Sequence, residues 1–339
     1  RPDNAVVMSI SGPRGKVGCK VRIELGHPLI QPEITVAGGW ISAHTVYAKG
    51  KGGYDSLVRV ITSGGETSVV DGTLCVSRAD HVLLLMQVDT WRTPLPKEQS
   101  EAWAFSPEHP DFGPVHTTNC LPKMKQHLAG LPSDYDALLR PHAKVHGELF
   151  SRVSLDLGGG ADRGASSEAL LARAAEEDYA SPAVIERMYD ACRYLIICSS
   201  GERPPNLQGI WTGTWSPAWS GDYTLDSNIQ LEIQSLMSCS MPELMDPYFR
   251  LVESWMPDCR LNARKFDGCR GAMSTARASN VCLLLLWGRW PGEQLISCLG
   301  WMAHFFYDSS QFTGDREFLE KRAVPLLKDV ALFYEDLLA

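Results

Sequence analysis

The chain contains no C-x-x-C pair, although ten cysteines are scattered through its 339 residues. Without closely spaced cysteines, neither a zinc ribbon nor a redox-active dithiol is expected. A chain of this length can bury a core without cross-links, so buried thiols are favoured over a disulfide framework. The sequence therefore predicts no metal ion and no cofactor.

Long apolar runs and basic clusters are also missing. The longest apolar run, Val281 to Trp287, is far short of the roughly 20 residues that cross a bilayer, so no membrane span is predicted. The net charge is −8 and no Lys/Arg-rich stretch offsets it, which argues against a nucleic-acid partner. No signal-peptide pattern opens the chain and its first residue is Arg, which indicates a processed chain or a fragment.

The first third of the chain has the pattern of a β domain. Short alternating or β-branched runs such as KVGCKVRIELG and EITVAGGWISAHTVYA are separated by glycine-rich turns up to about residue 105. This spacing predicts antiparallel strands in a sandwich or barrel.

Helical spacing replaces the strand pattern near Asp134. Trp103 to Pro132 is interpreted as an irregular connection, and GGGADRGASSEAL as a flexible linker. The predicted organisation is a partial β domain at 1–110, a linker with connecting helices at 111–170, and a helical domain at 171–339.

Capping residues mark two helix starts. Ser181 precedes Pro182, and Ser227 followed by Gln230 forms a capping-box pattern before an apolar helix. The helix after Ser181 carries an apolar stripe that predicts packing against a core, formed by Val184, Ile185, Met188, Cys192, Leu195 and Ile196.

A loop rich in tryptophan lies between these two helices, in the stretch RPPNLQGIWTGTWSPAWSGDYTLDSNIQLEIQSL. Trp211, Trp215 and Trp219 could fill the end of a helical domain. Alternatively, they could form a platform for a sugar, whose apolar C–H face stacks on an indole while its hydroxyls meet nearby polar side chains. Asp226 and Asn228 share one side of the extended segment before the next helix, so both could face a cleft while Ser227 caps.

This stretch resembles the signature of glycoside hydrolase family 95, the inverting α-L-fucosidase family, which has the form P-x-N-L-Q-G-x-W, P-x-W-x-S/G-D-Y and N-x-N. Other segments resemble the family in the same order along the chain, namely YDALLRPHAKVHGELFSRVSLDLG, NARKFDGCRGAMSTARASN and FTGDREFLEKRAVPLLKDVALFYEDLL. The resemblance implies a multidomain β + α fold, with a partial antiparallel β-sandwich followed by part of an (α/α)6 barrel.

The resemblance also implies an activity. A family member would remove a terminal α-L-fucosyl or L-galactosyl residue from an oligosaccharide by inverting hydrolysis. Trp211, Trp215 and Trp219 would form the sugar-facing wall, while Asp226 and Asn228 would position the water and the base.

The sequence departs from the family pattern at two places. Asp226 stands where the first Asn of N-x-N is expected, and Thr275, Ala276 and Arg277 stand where His-His-Asn is expected. These differences remove groups that would hydrogen-bond the sugar, so they bring fucose specificity into question. Arg277 itself is kept as a substrate-binding candidate.

Two further charged residues each have two interpretations. Arg270 could bind a sugar hydroxyl or carboxylate, or it could pair with a neighbouring acid. Glu293 could be an active-site carboxylate, or it could stabilise the start of a helix through the helix dipole.

The general acid and base of the family are expected beyond Ala339, so this chain alone is expected to be inactive. Two alternatives stay open: a non-catalytic carbohydrate-binding fragment, and an inverting glycosidase of different sugar specificity on the same barrel. The resemblance is compatible with secretion, and neither the compartment nor the oligomeric state follows from the sequence.

Overall fold

The computed structural model describes residues 2–24, 30, 32–47, 52–92, 119–279, 282–283 and 295–339. The chain divides into two compact units, Arg1–His146 and Gly147–Ala339, which we call the sheet unit and the helical unit. The domain boundaries expected near residues 110 and 170 stay a prediction.

The sheet unit contains one six-stranded sheet in which every described pairing is antiparallel. The strand order is β1-β6-β5-β4-β3, and β2 also pairs with β6. The strands are β1 (Val6–Ser11), β2 (Val17–Val21), β3 (Glu33–Ala37), β4 (Trp40–Val46), β5 (Gly52–Val70) and β6 (Thr73–Arg92). The prediction of antiparallel strands before residue 105 is confirmed for the described residues.

The long β5–β6 hairpin contains a bulge at which the register shifts, between Ser63 and Gly64. Gly64 and Gly65 both have positive φ, and a Cβ atom on Gly65 would lie 2.4 Å from the carbonyl oxygen of Ser77. Glycine is therefore required at position 65 both by the backbone conformation and by the close approach of the neighbouring strand.

The two ends of this sheet share one apolar cluster. Val17, Leu74 and Val76, beyond the bulge, pack in the same cluster as Ile41, Val58, Val60, Val82 and Leu84 on the other side of it. These residues form one continuous apolar cluster along a face of the sheet on both sides of the bulge, and burial of these aliphatic side chains stabilises the sheet.

Helix α1 (Leu121–Gly130) covers the opposite face of the sheet. Met124 and Leu128 pack there against Leu57, Leu83 and Leu85. The interpretation of Trp103 to Pro132 as irregular is wrong for these ten residues, and positions 93–118 lie outside the described residues. The signal was short: the buried side chains Cys120, Met124 and Leu128 recur at four-residue spacing over only two helical turns.

Helices dominate the helical unit, as predicted for residues after about 180. Helix α2 (Tyr135–Phe150) crosses the unit boundary. The other helices are α3 (Ser167–Glu177), α4 (Pro182–Ser199), α5 (Asn228–Ile233), α6 (Asp246–Asn262), α7 (Cys298–Thr313), α8 (Arg316–Phe318) and α9 (Val324–Leu337). A short antiparallel pair, β7 (Tyr223–Thr224) and β8 (Arg277–Ala278), lies among them.

Helices α6 and α7 contribute large aromatic side chains to the apolar core of the helical unit. Trp255, Tyr248 and Phe306 are almost completely buried, and the rings of Phe249 and Phe306 lie 4.4 Å apart. None of the described helices combines the length and the apolar character needed to cross a membrane. None of the ten cysteines, all of which lie in the described part of the chain, forms a disulfide.

Helix α4 buries a different face from the predicted one. Its start is as expected, because the Ser181 hydroxyl accepts a hydrogen bond from the Ala183 amide. However, Ile185, Met188 and Leu195 of the predicted stripe are exposed. The buried face instead carries two charged residues with matching partners, so the apolar pattern alone gave the wrong orientation.

These charged residues are Glu186 and Arg193. Arg193 donates to the backbone carbonyls of Leu149 and Phe150, at the end of α2. Glu186 accepts two hydrogen bonds from the guanidinium of Arg163, at 2.7 and 2.8 Å. The segment interpreted as a flexible linker is therefore a 3-10 turn (Gly160–Gly164) anchored to α4 and followed by α3.

Candidate functional site

The tryptophan-rich loop is closed at its base by hydrogen bonds. The Leu207 amide donates to the Asp222 carbonyl at 3.1 Å, and the Gln208 side-chain amide donates to the Ala218 carbonyl at 3.0 Å. The segment from 207 to 222 is thus a closed surface loop that contains one short 3-10 turn (Ala218–Gly221).

The three indoles of this loop are exposed. The exposed fractions are 51% for Trp211, 46% for Trp215 and 63% for Trp219. Among the described residues these side chains do not fill the core of the helical unit, whose buried tryptophan is Trp255. Exposed indoles on one loop are available for a ligand with an apolar face.

Trp219 has the most unusual backbone of the three. Its φ is +53° and that of Ser220 is +60°, a left-handed conformation that residues other than glycine adopt infrequently. The guanidinium carbon of Arg277 lies 5.5 Å from the centre of the indole ring, and an Nη2 hydrogen bond of 2.7 Å joins Arg277 to the Trp219 carbonyl. Arg277 therefore contacts both the ring and the backbone of Trp219.

Arg277 is held in turn by a buried carboxylate. Its Nε donates to Asp222 Oδ2 at 2.6 Å, and Asp222 is 5% exposed. The other oxygen of Asp222 accepts a hydrogen bond from the Thr224 hydroxyl at 2.7 Å. Asp222 was missed as a site residue, although it forms part of the D-Y pair in the recognised motif.

The β7–β8 pair brings these residues together across 55 positions of sequence. Thr224 pairs with Arg277 in the antiparallel register, and the Leu225 amide donates to the Ala276 carbonyl at 2.6 Å. The structure therefore joins two predicted site residues, Trp219 and Arg277.

Asp226 and Asn228 flank the start of helix α5. Asp226 Oδ1 is buried and accepts no hydrogen bond from any residue that the structure describes, whereas Asn228 is exposed at the first helical position. A buried carboxylate oxygen without a partner is costly, and it is a group that a bound water or hydroxyl could satisfy.

The capping-box prediction at Ser227 is wrong in its side-chain part. Ser227 occupies the N-cap position of α5, but its hydroxyl makes no capping hydrogen bond. The Gln230 side-chain amide donates to the Leu225 carbonyl instead of returning to Ser227. Buried Gln230 thus fixes the segment that precedes the helix.

The surroundings of Asp226 include the buried start of α7. Burial, the charge of Asp226 and the nearby Cys282 together raise the pKa of Cys298, the first residue of that helix, to about 12. The backbone of Cys282 is held on both sides by α6: its amide donates to Asp258 at 2.9 Å, and its carbonyl accepts from Asn262 at 2.6 Å. The backbone of Cys282 is therefore fixed to α6.

Glu232 lies one helical turn after Asn228 and was not singled out from the sequence. Burial raises the pKa of its carboxyl from 4.5 to about 7. Its charge contributes to the raised pKa values of Tyr223 and Tyr248, so it lies near both phenols, and no described cation forms an ion pair with it. The signal for it was an acid in the apolar helical stretch IQLEI.

The remaining candidates lie elsewhere or outside the described chain. Arg270 forms ion pairs with Asp336 at 2.6 Å and Glu335 at 2.8 Å on α9, and no described contact links it to the tryptophan loop. This agrees with the interpretation of Arg270 as the partner of a neighbouring acid. Glu293 lies outside the described residues.

The segment from residue 134 to 339 matches the family model described as "Glycosyl hydrolase family 95 catalytic domain". This match covers more than half of the chain and includes the tryptophan loop, Asp226 and Asn228. The chain belongs to glycosyl hydrolase family 95.

Two similar proteins agree with this family 95 assignment. "Probable alpha-fucosidase A" of Aspergillus niger is 27% identical over 298 residues, covering 83% of this chain and 35% of the relative. "Alpha-L-fucosidase 2" of Arabidopsis thaliana is 26% identical over 292 residues, covering 82% of this chain and 32% of the relative. The family 95 chain thus spans about a third of the length of these relatives.

A solved structure is similar in fold to the family 95 chain. It is described as "Putative kojibiose phosphorylase from human microbiome" and aligns over 98% of this chain and 39% of its own, with a TM-score of 0.57 and 9% identity. At this identity the likeness concerns the fold alone, which combines a β part with a helical part.

Proposed function

We propose that the whole protein is a glycoside hydrolase of the α-L-fucosidase type, acting by inversion on a terminal α-L-fucosyl or L-galactosyl residue of an oligosaccharide. The observation that carries the proposal is the family 95 match over the segment that holds the exposed tryptophan loop. The names of the two relatives, both fucosidases, support the same substrate class.

The proposal includes an architecture for the complete protein. The helical unit would form part of an (α/α)6 barrel, and the sheet unit would form part of a β-sandwich. The likeness in fold to the phosphorylase-type structure supports this arrangement, as does the antiparallel sheet of the first unit.

In this proposal the tryptophan loop binds the sugar. Trp211, Trp215 and Trp219 present exposed indoles to the C–H face of a pyranose. Asp226 and Asn228 position the attacking water, since Asp226 Oδ1 can accept a hydrogen bond that no described residue supplies. Inverting hydrolysis also needs a general acid and a general base, commonly about 6.5–9.5 Å apart, and neither role is assigned to a described residue.

One observation favours a second candidate, an inverting glycosidase for a different sugar. Thr275 and Ala276 stand where the family pattern has two histidines, and both are completely buried. The Thr275 hydroxyl donates to the Arg277 carbonyl and also contacts the Cys282 thiol. A site without the expected histidine hydrogen bonds would discriminate less strongly for fucose.

The full-length protein should be assayed against a panel of nitrophenyl glycosides that includes α-L-fucoside, β-L-fucoside and α-L-galactoside. Preferential hydrolysis of α-L-fucoside or α-L-galactoside, with proton NMR showing the β-sugar as the first product, would support the proposal. Preferential cleavage of a glycoside other than these two would favour the second candidate. No cleavage of any member would contradict both.

A further inference from the structure

The side chain of Arg277 is committed to contacts within the protein. It is 13% exposed, it shares hydrogen bonds with Asp222, and it donates to the carbonyl of Trp219. An arginine that binds a sugar hydroxyl directly must point its donors toward solvent. Here two of its three nitrogens point at the Asp222 carboxylate and the Trp219 backbone.

Trp219 depends on these contacts for its position. It lies in a short 3-10 turn (Ala218–Gly221) whose backbone is left-handed at Trp219, and the residue is 63% exposed. Arg277 lies over one side of the ring, so this side is covered by a guanidinium that Asp222 fixes in place. The ring is therefore oriented by two side chains, Arg277 and Asp222, and Asp222 is buried and also accepts a hydrogen bond from the Thr224 hydroxyl.

We propose that Asp222 and Arg277 are positioning residues, which fix the Trp219 indole so that its uncovered face receives the apolar side of a pyranose. The inference rests on the proposed function for the sugar, and it assigns Arg277 an indirect role in binding.

The orientation of Trp219 can be tested without any substrate. Full-length protein is labelled with 5-fluorotryptophan, and the Trp219 resonance is assigned by its loss in Trp219→Phe. Arg277→Met and Asp222→Asn should each shift or broaden that resonance. An unchanged resonance in both variants would overturn the inference.

A matched control comes from Arg322. It also forms a forked ion pair, with Glu253 at 2.6 and 2.8 Å, and lies 5.0 Å from the Phe318 ring. Arg322→Met removes the same kind of interaction away from the loop. It should leave the Trp219 resonance in place, and a shift as large as that of Arg277→Met would indicate a general loss of structure and overturn the inference.

A double-mutant cycle then separates positioning from direct contact. Arg277→Met should raise KM for the cleaved glycoside about tenfold while kcat changes less than about threefold, and Arg277→Lys should give a smaller increase. In a Trp219→Ala background the same Arg277→Met change should alter KM less than about twofold. An equal increase in both backgrounds would show direct contact of Arg277 with the sugar and overturn the inference.

The two tests distinguish failure of the inference from failure of the proposed function. If the wild-type protein hydrolyses no glycoside, the proposed function is contradicted, whereas the fluorine resonance still decides whether Asp222 and Arg277 position Trp219. If Trp219→Ala leaves KM unchanged in an active enzyme, the indole does not receive the sugar, and the inference is overturned.

Discussion

The sheet unit and the helical unit each hold a tryptophan beside cations, and they do so differently. Trp40 is the first residue of β4 and pairs with Ala37, so the strand already sets the direction of its side chain. Arg59 and Lys125 lie 5.6 and 5.4 Å from its ring. Arg59 donates to the Leu128 carbonyl near the end of α1, so backbone groups complete this arrangement.

Trp219 has no ladder of this kind. Its backbone is left-handed, and Arg277, anchored by Asp222, supplies the orientation. The difference shows that geometry in the sheet unit is encoded by backbone pairing, whereas geometry at the proposed site depends on a few polar side chains from distant positions. Backbone changes should therefore be most damaging in the sheet unit, and changes of charge should be most informative at the site.

The largest effect is expected from Gly65→Ala. The φ of +72° and the 2.4 Å approach to the Ser77 carbonyl oxygen leave no room for a methyl group in the hairpin. The free energy of unfolding of the sheet unit should fall by at least about 3 kcal/mol, measured by urea denaturation of the full-length protein.

Gly72→Ala is the control for this prediction. Its φ is +71°, yet a Cβ atom there would meet nothing within 4 Å. This change should cost about 1 kcal/mol through backbone conformation alone. Equal losses for the two variants would show that φ, and not the close strand approach, determines the requirement at position 65.

The next effect concerns pH and Glu232. Its folded-state pKa is raised from 4.5 to about 7, so the folded protein holds the proton more tightly than the unfolded chain. The stabilisation that comes from the protonated Glu232 carboxyl is fully present below about pH 4.5 and is lost as the pH rises through 7. The wild-type free energy of unfolding should therefore fall by an amount on the order of 2 kcal/mol across this pH window, and Glu232→Gln should abolish this fall.

The comparison for Glu232 is the slope of unfolding free energy against pH, measured for both proteins by urea denaturation at several pH values. Tyr223 and Tyr248 are the titratable groups near this carboxyl, and their pKa values lie above 10, so neither ionises in the window. Parallel curves for wild type and Glu232→Gln would contradict the assignment.

A smaller effect is expected from Asp226→Asn in the active full-length enzyme. The change restores the family residue at constant size but removes a carboxylate whose Oδ1 has no described partner. We expect kcat to fall at least about tenfold, roughly 1.4 kcal/mol of transition-state stabilisation, while the folded structure is retained. Steady-state kinetics measures the change in kcat, and a thermal melt checks that the variant is folded. Full activity of the variant would show that Asp226 has no role in the reaction.

The smallest effect is expected from Ser227→Ala. Its hydroxyl makes no capping hydrogen bond, so the change should cost less than about 0.5 kcal/mol. Ser181→Ala is the matched control at a helix start with a capping hydrogen bond. The Ser181 hydroxyl accepts from the Ala183 amide and donates to the Asp162 carboxylate at 2.6 Å, so its removal should lower the free energy of unfolding by about 1–2 kcal/mol. Similar losses in thermal melts of the two variants would contradict this distinction.

Local features of the sequence predicted much of the fold. Alternating residues predicted antiparallel strands, and Ser181 before Pro182 predicted the start of α4. Both signals act within a few residues and need no tertiary partner. The same local pattern at Ser227 gave the correct helix start and the wrong hydrogen bond, because buried Gln230 finds the Leu225 carbonyl instead.

Long-range polar contacts could not be predicted in the same way. The Asp222–Arg277 pair links residues 55 positions apart through β7 and β8, each of which has two residues and too little pattern to detect. Likewise, charged Glu186 and Arg193 face inward on α4 because Arg163 and distant backbone carbonyls satisfy them. Apolar periodicity carries no information about such partners.

The two hydrogen bonds that hold the Cys282 backbone make its thiol a probe of local opening in the helical unit. Asp258 and Asn262 hold both backbone groups of Cys282, whose side chain is completely buried, while Cys192 is exposed on α4. An alkylating reagent should consume Cys192 at the rate of an open thiol. Cys282 can react only when α6 releases it, so the ratio of the two labelling rates measures how often this part of the molecule opens under native conditions.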